Sequence, residues 1–281
     1  MSTQEAKATT YELVIRPESA ISLRDLADIW GYRELLWTLA MRDVRVRYKQ
    51  ASLGVLWALL QPLAQMAIFT LVFNRFAGIR SQSSVSYPVF CLSGLLVWTM
   101  FASGLSASSE SLVNNANLIT KVYFPRIVIP IAAVVPPLVD FLVGFGLLLP
   151  LLPLFGVTLR WTLLLALPIA SLASLCSLSL GLWMSAINIQ FRDVRYALPF
   201  FIQLFIFLTP VFYPPSLVPA RYQPYLACNP MAAIVESFRA VIFGEPVPLA
   251  RLGAATALIA VIGLLGFVRF RRMERTFADR I

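Results

Sequence analysis

The stretch Thr162–Ile187, TLLLALPIASLASLCSLSLGLWMSAI, runs without a single charged side chain. A helix needs about 20 apolar residues to cross roughly 30 Å of hydrocarbon, so this stretch reads as a transmembrane helix. Five further stretches are predominantly apolar and of similar length: Leu53–Phe76, Pro88–Ser108, Ile127–Phe155, Ala197–Tyr213 and Ala250–Phe270. Across the 281 residues 59% are hydrophobic and 13% charged, whereas soluble domains carry about a quarter charged. The expected fold class is therefore all-α, a polytopic membrane protein with six transmembrane helices, and a soluble core is excluded.

The charges that remain are sorted by side. Of the 23 Lys and Arg, eight precede the first span, from Lys7 to Lys49, and five close the chain, from Arg269 to Arg280. Lys121 and Arg126 lie between spans two and three, and Arg192 and Arg195 between spans four and five. The positive-inside rule then puts both termini and these loops in the cytoplasm. This basic excess, net +9 for the chain, faces anionic headgroups, so membrane lipid is the implied partner and nucleic acid is not. The chain divides into a cytoplasmic segment at 1–52, a six-helix domain at 53–270 and a cytoplasmic tail at 271–281. No cleavable signal peptide is visible in the polar first fifty residues, so insertion is expected to start from the first span.

The apolar run Met231–Phe243 tests the span count. It has 13 residues, too few to cross, and an odd number of spans would put the basic tail outside. The segment leading into it holds Pro210, Pro214, Pro215, Pro219, Pro224 and Pro230, which remove backbone donors. Such backbone survives at membrane depth only inside protein or beside a water-filled cavity. The region 214–249 is thus expected to form re-entrant outer helices between helices five and six. Within it Glu236 and Arg239 stand at i, i+3, a spacing that allows a local ion pair.

Ahead of the first span, Ser22-Leu-Arg-Asp25 resembles a capping box, and Leu26, Ile29, Trp30, Leu36, Trp37 and Ala40 follow at amphipathic spacing. An interface helix in the headgroup plane is expected, serving either as an anchor or as a gate and docking surface. Inside the spans, Gln61, Gln65 and Phe69 recur every four residues, and Phe200, Gln203 and Phe207 share a face of span five. Amides hydrogen-bond hydroxyls and aromatic faces take the apolar faces of sugar rings, so these residues, with Phe212 and Tyr213, are candidates to line a channel. Packing between helices is the competing reading for each. Span two is rich in small and hydroxylated residues, among them Gly94, Gly104 and Ser108, which favours close helix packing. Asp140 in span three must meet a partner, a cavity or a proton, because a bare anion there costs about 2.5 to 3.5 kcal/mol.

Several chemistries are absent. The chain has no histidine, which excludes imidazole metal sites and His-based catalysis, and the three cysteines do not make a disulfide framework. It has no phosphate-loop motif, so any ATP-driven work must come from a separate subunit. The inner loop 111–126 is where such a subunit would push. Asn117, Lys121, Tyr123, Phe124, Pro125 and Arg126 offer charge and exposed aromatics there, against the plainer reading of a polar loop.

Taken in order, these stretches resemble a known family. Arg42-Asp-Val-Arg-Val-Arg-Tyr-Lys49, Leu53-Gly-Val-Leu-Trp57, Gln61-Pro-Leu63 and Asn117-Leu-Ile-Thr-Lys-Val-Tyr-Phe-Pro-Arg126 come first. Phe191-Arg-Asp-Val194, Thr209-Pro-Val-Phe-Tyr-Pro214 and Asn229-Pro230 ahead of Glu236 and Arg239 follow. Together they are similar to the membrane subunits of type 2 ABC exporters for surface polysaccharides, notably O-antigen and teichoic acid. The resemblance implies a homodimer in the bacterial inner membrane, two copies of a nucleotide-binding ATPase subunit, and a lipid-linked polysaccharide as cargo. It also implies a coupling helix at Asn117–Arg126 and outer helices at Pro214–Phe243, with no catalytic residue, metal or cofactor in this chain, ATP and magnesium belonging to the partner subunit. The same scaffold suits capsular glycan, drug or small-lipid export. A proton-coupled transporter would need more ionisable groups at mid-membrane than Asp140, and a glycosyltransferase more carboxylates than Glu236 and Glu245.

Overall fold

The computed structural model describes residues 29–49, 56–79, 85–191, 193–274 and Phe277, and the described residues contain helices and no strand. The expected cap at Ser22–Asp25, the residues 53–55 and Arg192 lie outside them. Eleven α-helices account for most of the described chain. The first four are α1 (Arg33–Lys49), α2 (Leu56–Phe69), α3 (Tyr87–Asn114) and α4 (Ala116–Lys121). Next come α5 (Val128–Ala133), α6 (Val135–Leu154), α7 (Ala166–Gln190) and α8 (Val194–Leu208). The last are α9 (Gln223–Ala227), α10 (Pro230–Phe243) and α11 (Leu249–Glu274).

Four helical runs are long and apolar enough to cross a membrane: Tyr87–Asn114, Val128–Leu154, Trp161–Gln190 and Leu249–Glu274. Two of the six candidates differ in detail. The first continues from α2 as a π-helix, Thr70–Phe76, whose wider turn ends with the Ala77 amide donating to the Val72 carbonyl. The fifth stops at Leu208: residues 209–213 leave the helix and turn back into the protein, because Pro210 cannot donate and the freed carbonyls find other partners. Met231–Phe243 is helical as α10, and the stretch Ala220–Ala227 joins it at a bend of 96°. Asn229 starts α10 by accepting the Met231 amide on its side-chain oxygen at 3.0 Å, with Pro230 at the first helical position. Gly244, at φ +72°, ends it in the left-handed conformation that favours glycine.

The centre of the molecule is α3, buried on nearly every side. Its small residues let α7 approach closely: a Cβ on Gly104 would lie 2.6 Å from Ser177 Oγ, and one on Gly181 2.3 Å from Ser108 Oγ. The last helix, α11, packs on the other side of α7 in the same way, through Gly263 and Gly266 against Ser179 and Trp183. Lipid offers no hydrophobic drive between helices, so such close van der Waals contact, rather than exclusion of water, binds them. At one end of the bundle a second apolar cluster gathers Leu39 and Ala40 of α1, Leu112, Ile119, Phe124, Phe270 and Phe277. Thus α1 turns Leu39 and Ala40 inward and leaves Trp37 exposed, as is Trp30 just ahead of it.

Replacing Gly181 by Ala is expected to destabilise the α3–α7 contact by about 1–3 kcal/mol, because the new methyl meets Ser108. The double variant Gly181→Ala/Ser108→Gly, which moves the small residue across the interface, should regain much of the loss in thermal melts of the detergent-purified protein.

Candidate functional site: an amide- and aromatic-walled cavity

A cavity of about 660 Å³ lies between α2, α3, α6 and α8. From α2 it receives Trp57, Gln61, Gln65 and Phe69, and from α8 Gln203 and Phe207. Trp98, Thr99 and Ser103 of α3 form the back wall, and Pro137, Asp140 and Phe141 of α6 a side. Five of the eight residues expected to line a channel therefore share one space. The Gln65 amide oxygen is buried with no hydrogen-bond partner among the described residues.

The other three sit elsewhere. Phe200 is exposed on α8 beside Phe201 and does not reach the cavity. Phe212 is fully buried: its ring stacks on Phe69 at 3.9 Å between centroids and on Phe73 at 5.5 Å, so it supports the wall from behind. Tyr213 donates its hydroxyl to the Phe207 carbonyl at 2.9 Å. Helical spacing alone put Phe200 with Gln203 and Phe207, but α8 offers to the cavity only its last two turns.

Asp140 finds its partners on α1. Arg47 approaches its carboxylate at 2.7 Å, and the Tyr48 hydroxyl donates to it. Burial, with the carboxylate next to it, drives the Tyr48 phenol further above its ordinary range and keeps it a donor. Arg47 and Tyr48 were not anticipated in this role. A lone mid-span carboxylate requires a cation, and the basic end of α1 is the nearest sequence signal for one.

Glu236 and Arg239 do not pair with each other. Glu236 takes Arg251 of α11 at 2.7 Å. Arg239 is buried and spends its donors on main-chain oxygens: Pro210 at 2.6 Å, Val211 at 2.6 Å and Phe90 at 3.0 Å. Its guanidinium also lies over the Phe90 ring, 3.6 Å from the centroid. Gly94 leaves room for it, since a Cβ there would lie 2.3 Å from Arg239 Nη2. Proline and the helix break strand these carbonyls, and a planar fork of donors suits several oxygens better than one carboxylate.

In the inner loop Asn117, Lys121 and Tyr123 are exposed, Tyr123 to 83%. Phe124 is not: it is buried at 5% among Ile119, Phe270 and Phe277, which corrects the expectation of two exposed aromatics. Pro125 and Arg126 are half-buried. The Arg126 amide donates to Glu274 Oε1 at 2.7 Å, and its guanidinium to the Glu274 carbonyl, so this loop is pinned to the end of α11.

Residues 34–243 match the family model for the ABC-2 type transporter. The chain belongs to the ABC-2 type transporter family. Among relatives of this ABC-2 protein is an O-antigen export system permease protein RfbA from Myxococcus xanthus, 31% identical over 92% of this chain and 100% of the relative. An RfbA from Klebsiella pneumoniae is 26% identical over 88% of the chain and 94% of the relative. The polysialic acid transport protein KpsM of Escherichia coli is 27% identical over 80% and 89%. The ABC-2 match begins at α1 and ends with α10, so it spans both the Asp140 pair and the Arg239 clasp.

Substituting Arg239 by Met would leave the buried Pro210 and Val211 carbonyls without a donor, at about 1–3 kcal/mol each. The expected result is loss of the folded protein from detergent extracts, measured by gel filtration. Glu236→Gln, which loosens only an exposed pair, should cost less than about 1 kcal/mol.

Proposed function

We propose that this chain is the membrane subunit of an ABC exporter that moves a lipid-linked surface polysaccharide, O-antigen-like, across the bacterial inner membrane. The observation that carries the reading is the cavity. Three glutamines, two tryptophans and three phenylalanines wall it, a chemistry for hydroxyls and pyranose faces. The relatives named for O-antigen export and polysialic acid transport favour the same class of cargo. Teichoic acid and capsular glycans share that chemistry.

In this reading the chain crosses six times. The four long runs are joined by α2 with its π-extension and by α8 with the turn that follows, both termini being cytoplasmic by the charge rule. The bent pair of α9 and α10 is re-entrant on the outer side, and α1 lies at the inner interface with Trp30 and Trp37 among headgroups. Two copies of the chain enclose the route. Two ATPase subunits, which hold ATP and magnesium, dock on the loop 117–126. The chain itself is a transport subunit and no enzyme. Asp140 is committed to Arg47 and Tyr48, which argues against a proton relay.

The test is reconstitution with the ATPase subunit in proteoliposomes. ATP-dependent movement of the lipid-linked glycan is expected, unaffected by a protonophore; loss of transport when the proton gradient is collapsed at constant ATP would reject the proposal. Gln65→Leu and Gln203→Leu should each lower glycan export by about tenfold, the equivalent of one hydrogen bond of about 1.4 kcal/mol, without preventing assembly. Tyr123→Ala should cut the glycan exported per ATP by a similar factor, read from paired export and phosphate-release assays.

A further inference from the structure

The last helix carries an ionic anchor at each end. At its outer end Arg251 meets Glu236 of α10 at 2.7 Å. At its inner end the Glu274 carboxylate accepts the Arg126 amide at 2.7 Å and the Arg271 guanidinium at 2.9 Å, while the Arg126 side chain returns to the Glu274 carbonyl. Between the anchors α11 is one unbroken helix of 26 residues, about 39 Å at the usual rise. The Trp183 indole donates to the Ile262 carbonyl at 3.1 Å midway along it.

We propose that α11 is a strut that delivers displacement of the inner loop to the outer helices, with Glu274 and Arg251 as its positioning residues. The proposal rests on the reading of 117–126 as the ATPase docking loop. Two features favour α11 over the other routes through the bundle. The central helix α3 is buried on nearly all sides, with Gly–Ser contacts that leave no slack, so it cannot shift without repacking its neighbours. By contrast α11 is the least buried of the four long runs. Its ends are held by directional polar bonds, which transmit a push that apolar contacts would let slip. Phe124, tucked beside Phe270 and Phe277, adds a hydrophobic footing at the driven end. A loop displaced by the ATPase subunit must therefore carry Glu274 with it, and the far end acts on Glu236 in the bent outer pair.

The test uses the full complex with its ATPase subunit in proteoliposomes and reads glycan exported per ATP hydrolysed. Glu274→Ala is expected to lower this ratio about tenfold, and Glu274→Gln to restore most of it, because the amide oxygen still accepts from the Arg126 N–H. Arg251→Glu is expected to lower the ratio, and the swap Arg251→Glu/Glu236→Arg to recover it. If Glu274→Ala prevents assembly, a cysteine pair at 126 and 274, oxidised in membranes after replacement of the native cysteines, decides the matter. A covalent tie that keeps at least half the ratio is the expected result, since the loop and the strut move as one piece. A tie that abolishes export, a swap that recovers nothing, or a normal ratio in Glu274→Ala overturns the strut. Tyr123→Ala separates the two readings: uncoupling there with a normal Glu274→Ala rejects the strut alone, and no effect in either rejects the docking loop itself.

Discussion

One arginine fastens three distant segments of this molecule together. Where α8 ends, Pro210 interrupts the backbone ladder and leaves the carbonyls of the turn without partners at a depth where water does not reach them. Arg239 of α10 supplies those partners and at the same time takes the Phe90 carbonyl of α3 and the face of the Phe90 ring. A neutral side chain could not reach so many oxygens at once. The positive charge is tolerated because main-chain dipoles and an aromatic face surround it. Three elements distant in sequence are thereby fastened at a single point, and Gly94 is small because that point has no space for a methyl group.

The shape of the cavity follows from this clasp. With the turn at 209–213 held inward, Phe212 becomes a platform on which Phe69 and Phe73 stack, and the Tyr87 hydroxyl closes on the Phe212 carbonyl at 2.7 Å. These contacts fix the outer end of α2 against the end of α8. On the α6 side the cavity is bordered by Asp140, paired with Arg47 and Tyr48 of α1. The space between is walled by side chains that need not pack on each other, which is how amides and indoles come to face an opening in a lipid-soluble bundle.

Much of the architecture was legible in the sequence because lipid imposes strict length and charge rules. The four long runs, the break before Met231 and the short helix in the inner loop follow from apolar length, proline and polar spacing. The site was legible in part. Gln61, Gln65, Phe69, Gln203 and Phe207 share a cavity because a four-residue period does place side chains on one face. Phe200 and Phe212 escaped because periodicity assumes that the helix runs on and says nothing of where a neighbour ends or a chain turns back. The pairing of Arg239 was missed for a related reason. Spacing of i, i+3 makes an ion pair with Glu236 possible, but stranded carbonyls created thirty residues earlier compete for the same guanidinium and win. Phe124 and Tyr123 are adjacent and alike in chemistry, and only the arrival of Phe270 from the far end of the chain decides which of them is covered.

The distribution of charge inside the bundle bears on how a conduit of this kind works. Asp140 is paired with Arg47, Glu236 with Arg251, Glu274 with Arg126 and Arg271, and Arg239 with backbone. Arg47, Tyr48 and Asp140 reach the cavity paired with one another, and the rest of its wall offers neutral amides, hydroxyls and aromatic faces. A polymer of sugars drawn past such a wall exchanges one modest contact for an equivalent one at the next residue, so no single position binds it tightly enough to stop it. A wall of unpaired charges would bind more firmly and release more slowly. Weak, repeated contact also leaves nothing in the cavity to set direction, and in the proposed reading the asymmetry enters from outside it, through the ATPase subunit.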